Sequence, residues 1–180
     1  MKITRELLRA WRACYKDERI AELVPIDGLT PLELIGLDIP EEDRLWVLLR
    51  DAVIPARNLR LLACKWASDT CRKAGWADER SINAINVAAR FADGNATRAE
   101  LDAANAVAWL AARDAARGIT GEAPAVAAAW ATSASAWIAA KAGANALSGE
   151  QDNWGTQIED VKAELRKVSN ESGTLSGAEG

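Results

Sequence analysis

The stretch from Ala99 to Ala146 constrains the fold more than any other, because alanine occupies 22 of its 48 positions. Alanine loses no side-chain entropy in a helix, so LDAANAVAWLAARDAAR and APAVAAAWATSASAWIAAKAGANA read as two helices. Helices faced with methyl groups approach closely, and Trp109, Trp130 and Trp137 supply most of the large apolar surface between them. The step from Trp130 to Trp137 is two helical turns, which places both on one face. The pattern predicts an all-α protein, an antiparallel helical bundle with an alanine-rich, tryptophan-anchored core.

A chain of 180 residues suits one domain, and a domain of that size buries roughly 70% of the surface its unfolded chain exposes. From Ala123 to Ala140 the sequence carries no charge, close to the ~18 residues at which a membrane-spanning helix becomes a candidate. Alanine is only marginally apolar, and Thr132, Ser133 and Ser135 interrupt the run, so a buried bundle helix is expected and no membrane. The net charge of -4, from 22 basic and 26 acidic side chains, gives no global field for gripping nucleic acid or anionic lipid. Nucleic acid is therefore disfavoured as a partner. Three cysteines, Cys14, Cys64 and Cys71, make an odd number that fits a reducing compartment better than a disulfide framework. Lys2, Arg5, Arg9, Arg12, Lys16 and Arg19 leave no apolar run for a secretory signal, so the expected location is the cytoplasm.

Capping signals divide the chain. Thr4 opens a helix expected to run to about Arg19, with Leu7, Leu8, Trp11, Cys14 and Tyr15 on one face. Thr30, Pro31 and Glu33 spell a capping box for a short helix ending near Gly36, and another helix is expected from about Pro40 to Ala52. Longer helices are expected from Pro55 to Ala74, from Asp78 to Gly94, from Thr97 to Gly118, and from Pro124 until the pattern fades near Gly143. The reading is one domain over residues 1–168, with small helices in 1–54, a four-helix core in 55–146 and a C-terminal helix in 150–168. The links between the core helices are short, which makes successive helices antiparallel. Ser169 to Gly180 offers little to bury and is expected to be disordered. No run of β-branched residues alternates in period two, so no sheet is expected.

The chain contains no histidine, which removes the Ser-His-Asp, Cys-His and His-metal arrangements. Phosphate-binding GxGxxG and GxxxxGKS motifs and the ExxH pairs of di-iron bundles are missing as well. The expectation is a non-enzymatic binding protein with no catalytic residue, metal or cofactor. Interface energy concentrates in aromatic and arginine side chains, and the N-terminal third holds both kinds. Arg5, Arg9 and Arg12, with Lys16, follow the spacing of one helical stripe beside Trp11. Glu41, Glu42 and Asp43, which also suit the positive end of a helix dipole, open the helix that carries Trp46 and Arg50. These side chains are the expected contacts with a protein partner, and the link around Arg72, Lys73 and Trp76 is the next place to look.

From Leu59 onward the chain also resembles a known family. Leu59, Arg60, Ala63, Cys64 and Ala67 resemble its first helix, and Asp78, Arg80, Ser81, Ala84, Ile85, Val87, Ala88, Arg90 and Gly94 resemble its DxRSxxAIxVAxRxxxG segment. Ala96, Thr97, Glu100 and Leu101 then lead into its alanine-rich pair. The family is the fifth numbered series of immunity-protein-like domains of bacteria and phages, and the likeness covers residues 59–146. The resemblance implies a protein encoded by a phage or mobile element that neutralises another protein, either a toxin or a host defence component such as a CRISPR system. The alternatives are a phage structural or assembly accessory protein and an unrecognised enzyme. The family brings no catalytic residue to this chain.

Overall fold

The structure is a computed structural model that describes residues 1–76, 78–115, 117, 122–132 and 153–176. All the regular elements among them are helices, and they divide into two compact units, residues 55–157 and residues 1–54 with 158–180.

The first unit contains α1 (Arg5–Ala10), α2 (Asp17–Leu23), α3 (Pro31–Ile35), α4 (Glu41–Leu48) and most of α9 (Asn153–Ser176). Its core gathers Ile3, Ile20, Val24, Leu34, Leu45, Leu48 and Ile54 from the N-terminal segment, and Val161 and Leu165 lie buried on α9. Ile3 and Leu29 exchange backbone hydrogen bonds of 2.7 and 3.0 Å in an isolated antiparallel bridge. Gly28 makes that approach possible, since its φ is +76° and a Cβ there would stand 2.9 Å from the Ile3 carbonyl oxygen.

The helix expected to continue to Arg19 stops at Ala10. Arg12 N–H donates to Arg9 O at 2.9 Å and Ala13 N–H to Leu8 O at 3.0 Å, the paired bonds of a Schellman ending with Arg12 in the left-handed position. Gly75 and Gly94 hold the same post after the helices that end at Lys73 and Ala92, with φ of +62° and +76°. Arg12 is a non-glycine residue there, at φ +58°, which is why the sequence carries no stop signal. A left-handed non-glycine residue costs roughly 1–2 kcal/mol, so Arg12→Gly is expected to stabilise the protein by about 1 kcal/mol in urea unfolding. The helix expected to reach Ala52 ends at Leu48, because Val53 and Ile54 turn back to donate to Arg50 O at 2.8 and 2.9 Å. Ile54 also precedes Pro55, whose ring disfavours helical geometry at the preceding residue.

The second unit contains α5 (Ala56–Lys73), α6 (Glu79–Ala92), α7 (Arg98–Ala115) and α8 (Glu122–Thr132). Asp78 caps α6 by accepting from the backbone N–H groups of Arg80 and Ser81. Thr97 and Glu100 close a reciprocal capping box at the start of α7. The α8 helix packs on α5, α6 and α7 together, and Ala125, Ala127, Ala128, Ala129 and Ala131 are all fully buried. A helix that is apolar on nearly every side is mostly buried, and in α8 only Val126 and Trp130 among the residues from Pro124 to Thr132 are half-buried.

The tryptophans sit differently from expectation. Trp66, on α5, is the deep one at 3% exposure, whereas Trp109 is 39% exposed and Trp130 half-buried. The latter two meet edge to face at the rim, with ring centroids 5.2 Å apart. Trp137, residues 133–150 and the link at 118–121 fall outside the described residues.

The α9 helix carries Ile158, Val161 and Leu165 as expected, but it runs to Ser176 where Val168 was the expected end. Once a helix exists, each added residue gains a hydrogen bond, and polar residues such as Ser169 and Asn170 carry only small penalties. Residues 177–180 of the expected tail lie outside the described residues. No helix among the described residues is long and apolar enough to cross a membrane.

Candidate functional site

The side chains expected to meet a partner all lie in the first unit, and the fold sorts them into three groups. Arg5 is an internal brace, with Nε donating to Val24 O at 2.7 Å and Nη2 to Ala21 O at 2.8 Å. These carbonyls close α2, where a cation also suits the negative end of the helix dipole. Arg9 is held by Asp17 at 2.8 Å. Arg12 stands in the turn after α1 and Lys16 immediately precedes α2, so the expected continuous stripe is broken by the Schellman turn.

The second group comes together. The Arg50 guanidinium carbon lies 4.0 Å from the ring centroid of Trp46 and 5.6 Å from that of Trp11. Cation–π attraction of this kind is worth about 0.5–2 kcal/mol per ring, depending on desolvation. Arg50 Nε also donates to Trp46 O at 3.2 Å, at the end of α4 where that carbonyl lacks a helical partner. All three side chains are half-buried. Burial holds the Arg50 pKa below the ordinary arginine value, partly offset by Asp51, and the guanidinium remains charged.

Asp43 has a defined task. It accepts a 2.6 Å hydrogen bond from the Tyr15 hydroxyl, joining the turn after α1 to the first turn of α4. Sequence spacing gave no sign of this pair, which is 28 residues apart. That bond, with desolvation and the carboxylate charge, pushes the Tyr15 phenol up to about 12. Tyr15 is the chain's single tyrosine, so near-ultraviolet absorbance reports its ionisation directly. Folded protein is expected to ionise near pH 12, against about 10 for a free phenol, and Asp43→Asn is expected to move the titration back down. Because the folded pKa is the higher one, this stabilisation is complete below about pH 10 and lost as pH rises through the folded value. Glu41 lies 3.8 Å from Arg44, whose Nη1 donates to Ile35 O at 2.8 Å, and Glu42 flanks it in the same first turn.

The second unit offers a recess of about 270 Å³ between α5 and α6, lined by Ser68, Cys71, Arg72, Trp76, Ile82, Ile85 and Asn86. Arg72 and Trp76 were marked in the sequence, and both lie on its wall. The Trp76 indole donates to Ser81 Oγ at 3.3 Å and packs on the cluster of Ala112, Ala115 and Ala125. Burial pushes the Cys71 thiol up to about 11 and the Cys64 thiol to about 12, so both are neutral packing groups rather than reactive thiolates.

The DxRSxxAIxVAxRxxxG residues work as a helix frame. Asp78 caps α6, Arg80 bonds Asp78 and reaches Asp114 at 2.7 Å, and Ser81, Ala84 and Ala88 are fully buried. Arg90 binds Asn95 O and Glu100, securing the turn after Gly94. Among the described residues, no group of three or more His, Cys, Asp or Glu side chains is placed to hold a metal ion.

No family model, curated protein or solved structure matches this chain.

Proposed function

We propose that this chain is a non-enzymatic protein-binding protein, encoded by a phage or mobile element and acting in the bacterial cytoplasm, that neutralises another protein as an immunity factor or as an inhibitor of host defence. The observation carrying the binding reading is the joining of Trp11, Trp46 and Arg50 on one half-buried surface. Tryptophan and arginine are enriched among the residues that dominate interface energy, and they do so from partly enclosed, rigid settings. The cluster owes its rigidity to two ring contacts and one carbonyl bond, so little rotamer entropy is left to lose on association. The resemblance over residues 59–146 supports the neutralising role.

The test is affinity capture of tagged full-length protein from bacterial lysate, read by mass spectrometry, followed by calorimetry with the captured protein. A stoichiometric complex weakened at least about tenfold by Trp11→Ala or Trp46→Ala, a loss of about 1.4 kcal/mol, is the expected result. Incorporation into virions with no such complex would favour the assembly role, and substrate turnover by purified protein would favour an enzyme.

A further inference from the structure

The arginine in this cluster has unused capacity. A guanidinium carries five N–H donors, one on Nε and four on the two Nη atoms. Nε is committed to Trp46 O at 3.2 Å, and the Nη groups of Arg50 have no acceptor among the described residues. The charge is held in place by the indoles of Trp11 and Trp46, and the backbone of Arg50 is pinned by the N–H groups of Val53 and Ile54. A planar fork fixed in this way matches the two oxygens of a carboxylate, which it can bind by parallel, charge-assisted hydrogen bonds.

We infer that Arg50, positioned by Trp11 and Trp46, is the docking point for a single side-chain carboxylate set among apolar residues of the partner protein. This rests on the reading of the chain as a protein-binding protein and adds the chemistry of what is bound. The surroundings select a protein carboxylate over a nucleic-acid backbone. Duplex DNA presents about one charge per 1.7 Å and needs a tract of free cations to grip it. Here Arg5 and Arg9 are spent on Val24, Ala21 and Asp17, while α4 opens with Glu41, Glu42 and Asp43 and Asp51 follows Arg50 in sequence. A polyanion would meet those acids, whereas one carboxylate between apolar neighbours needs only the fork and the indoles.

The experiment uses full-length ¹⁵N-labelled protein titrated with a short blocked peptide that carries one glutamate between leucines, its glutamine counterpart, and a single-stranded oligothymidylate. The expected result is saturable movement of the Arg50 Nε–H and of the Trp11 and Trp46 indole N–H signals with the glutamate peptide, at least about tenfold weaker with the glutamine peptide. Arg50→Lys keeps a charge but loses the fork, and Arg50→Gln keeps a donor but loses the charge. Each is expected to weaken glutamate-peptide binding by about tenfold or more, with circular dichroism unchanged in at least one of them. Equal response to the two peptides, preference for the oligothymidylate, no response at millimolar peptide, or wild-type affinity in a folded Arg50 variant would each overturn the inference. Capture of a lysate partner whose binding survives Arg50→Lys would overturn it too, while leaving the protein-binding reading standing.

Discussion

Replacing Trp66 with alanine is expected to lower the unfolding free energy by about 3–5 kcal/mol, the range for truncating a large buried aromatic side chain. Trp66 sits on α5 at 3% exposure, within a unit whose other buried residues include Ala63, Ala67, Ala84, Ala88 and Ala128. The surrounding structure relaxes only partly around a void the size of an indole, so a cavity cost is added to the lost transfer energy. The comparison that makes the result informative is Trp130→Ala. Trp130 is half-buried and stacked edge to face on the exposed Trp109, so it should lose less than half as much. Urea melts of the two variants decide the matter, and equal losses would mean that the rim pair carries core weight after all.

The second large effect is expected from adding atoms. Ala128→Leu is expected to destabilise the protein by about 3 kcal/mol, the upper part of the usual range for overpacking a well-filled core. Ala128 is fully buried on α8, the helix that contacts α5, α6 and α7 at once. A leucine there adds volume to a fully buried position on a helix packed against three others, and a close-packed interior accommodates it only by shifting side chains or helices. Substitution at the exposed Ala103 or Ala106 on α7 is expected to change stability by no more than about 0.5 kcal/mol. Thermal melts followed by circular dichroism provide the check, with helical signal at low temperature confirming that each variant folds.

What the sequence reveals and what it hides follow from the range of each interaction. The starts of α1, α3, α6 and α7 were legible, because Thr4, Thr30, Asp78 and Thr97 cap donors within three residues of themselves. The stops at Gly75 and Gly94 were legible for the same reason, as was the alanine seam, whose composition leaves few other structures open. The end of α1 was hidden. It depends on an arginine accepting a left-handed conformation, which no residue preference announces. The placement of the tryptophans was hidden too, since periodicity gives a face but not which face a crowded interior can accommodate. For the candidate site, the residue types were readable and their grouping only partly so. Arg50 and Trp46 are four apart and meet through local helix geometry. Trp11 reaches the same guanidinium from a distant part of the chain, and Tyr15 reaches Asp43 across 28 residues. The marked arginines Arg5 and Arg9 turned out to be occupied internally, because open backbone carbonyls at the end of α2 and the carboxylate of Asp17 lie within their reach.

The central place of α8 has a consequence for how the protein comes into being. During synthesis the chain emerges in order, so α5, α6 and α7 leave the ribosome before the helix that all three embrace. The contact of Arg60 with the carbonyl of Thr132, at 2.6 Å, spans 72 residues of sequence, and contacts this distant close late because the intervening loop must first be confined. Until then α5, α6 and α7 stand without the helix that packs on all of them. The buried residues of α8 include Ala125, Ala127, Ala128, Ala129 and Ala131, so the late helix offers little large apolar surface to other chains before it docks. The same alanine that lets α8 pack on three helices also keeps it inconspicuous until its place is ready.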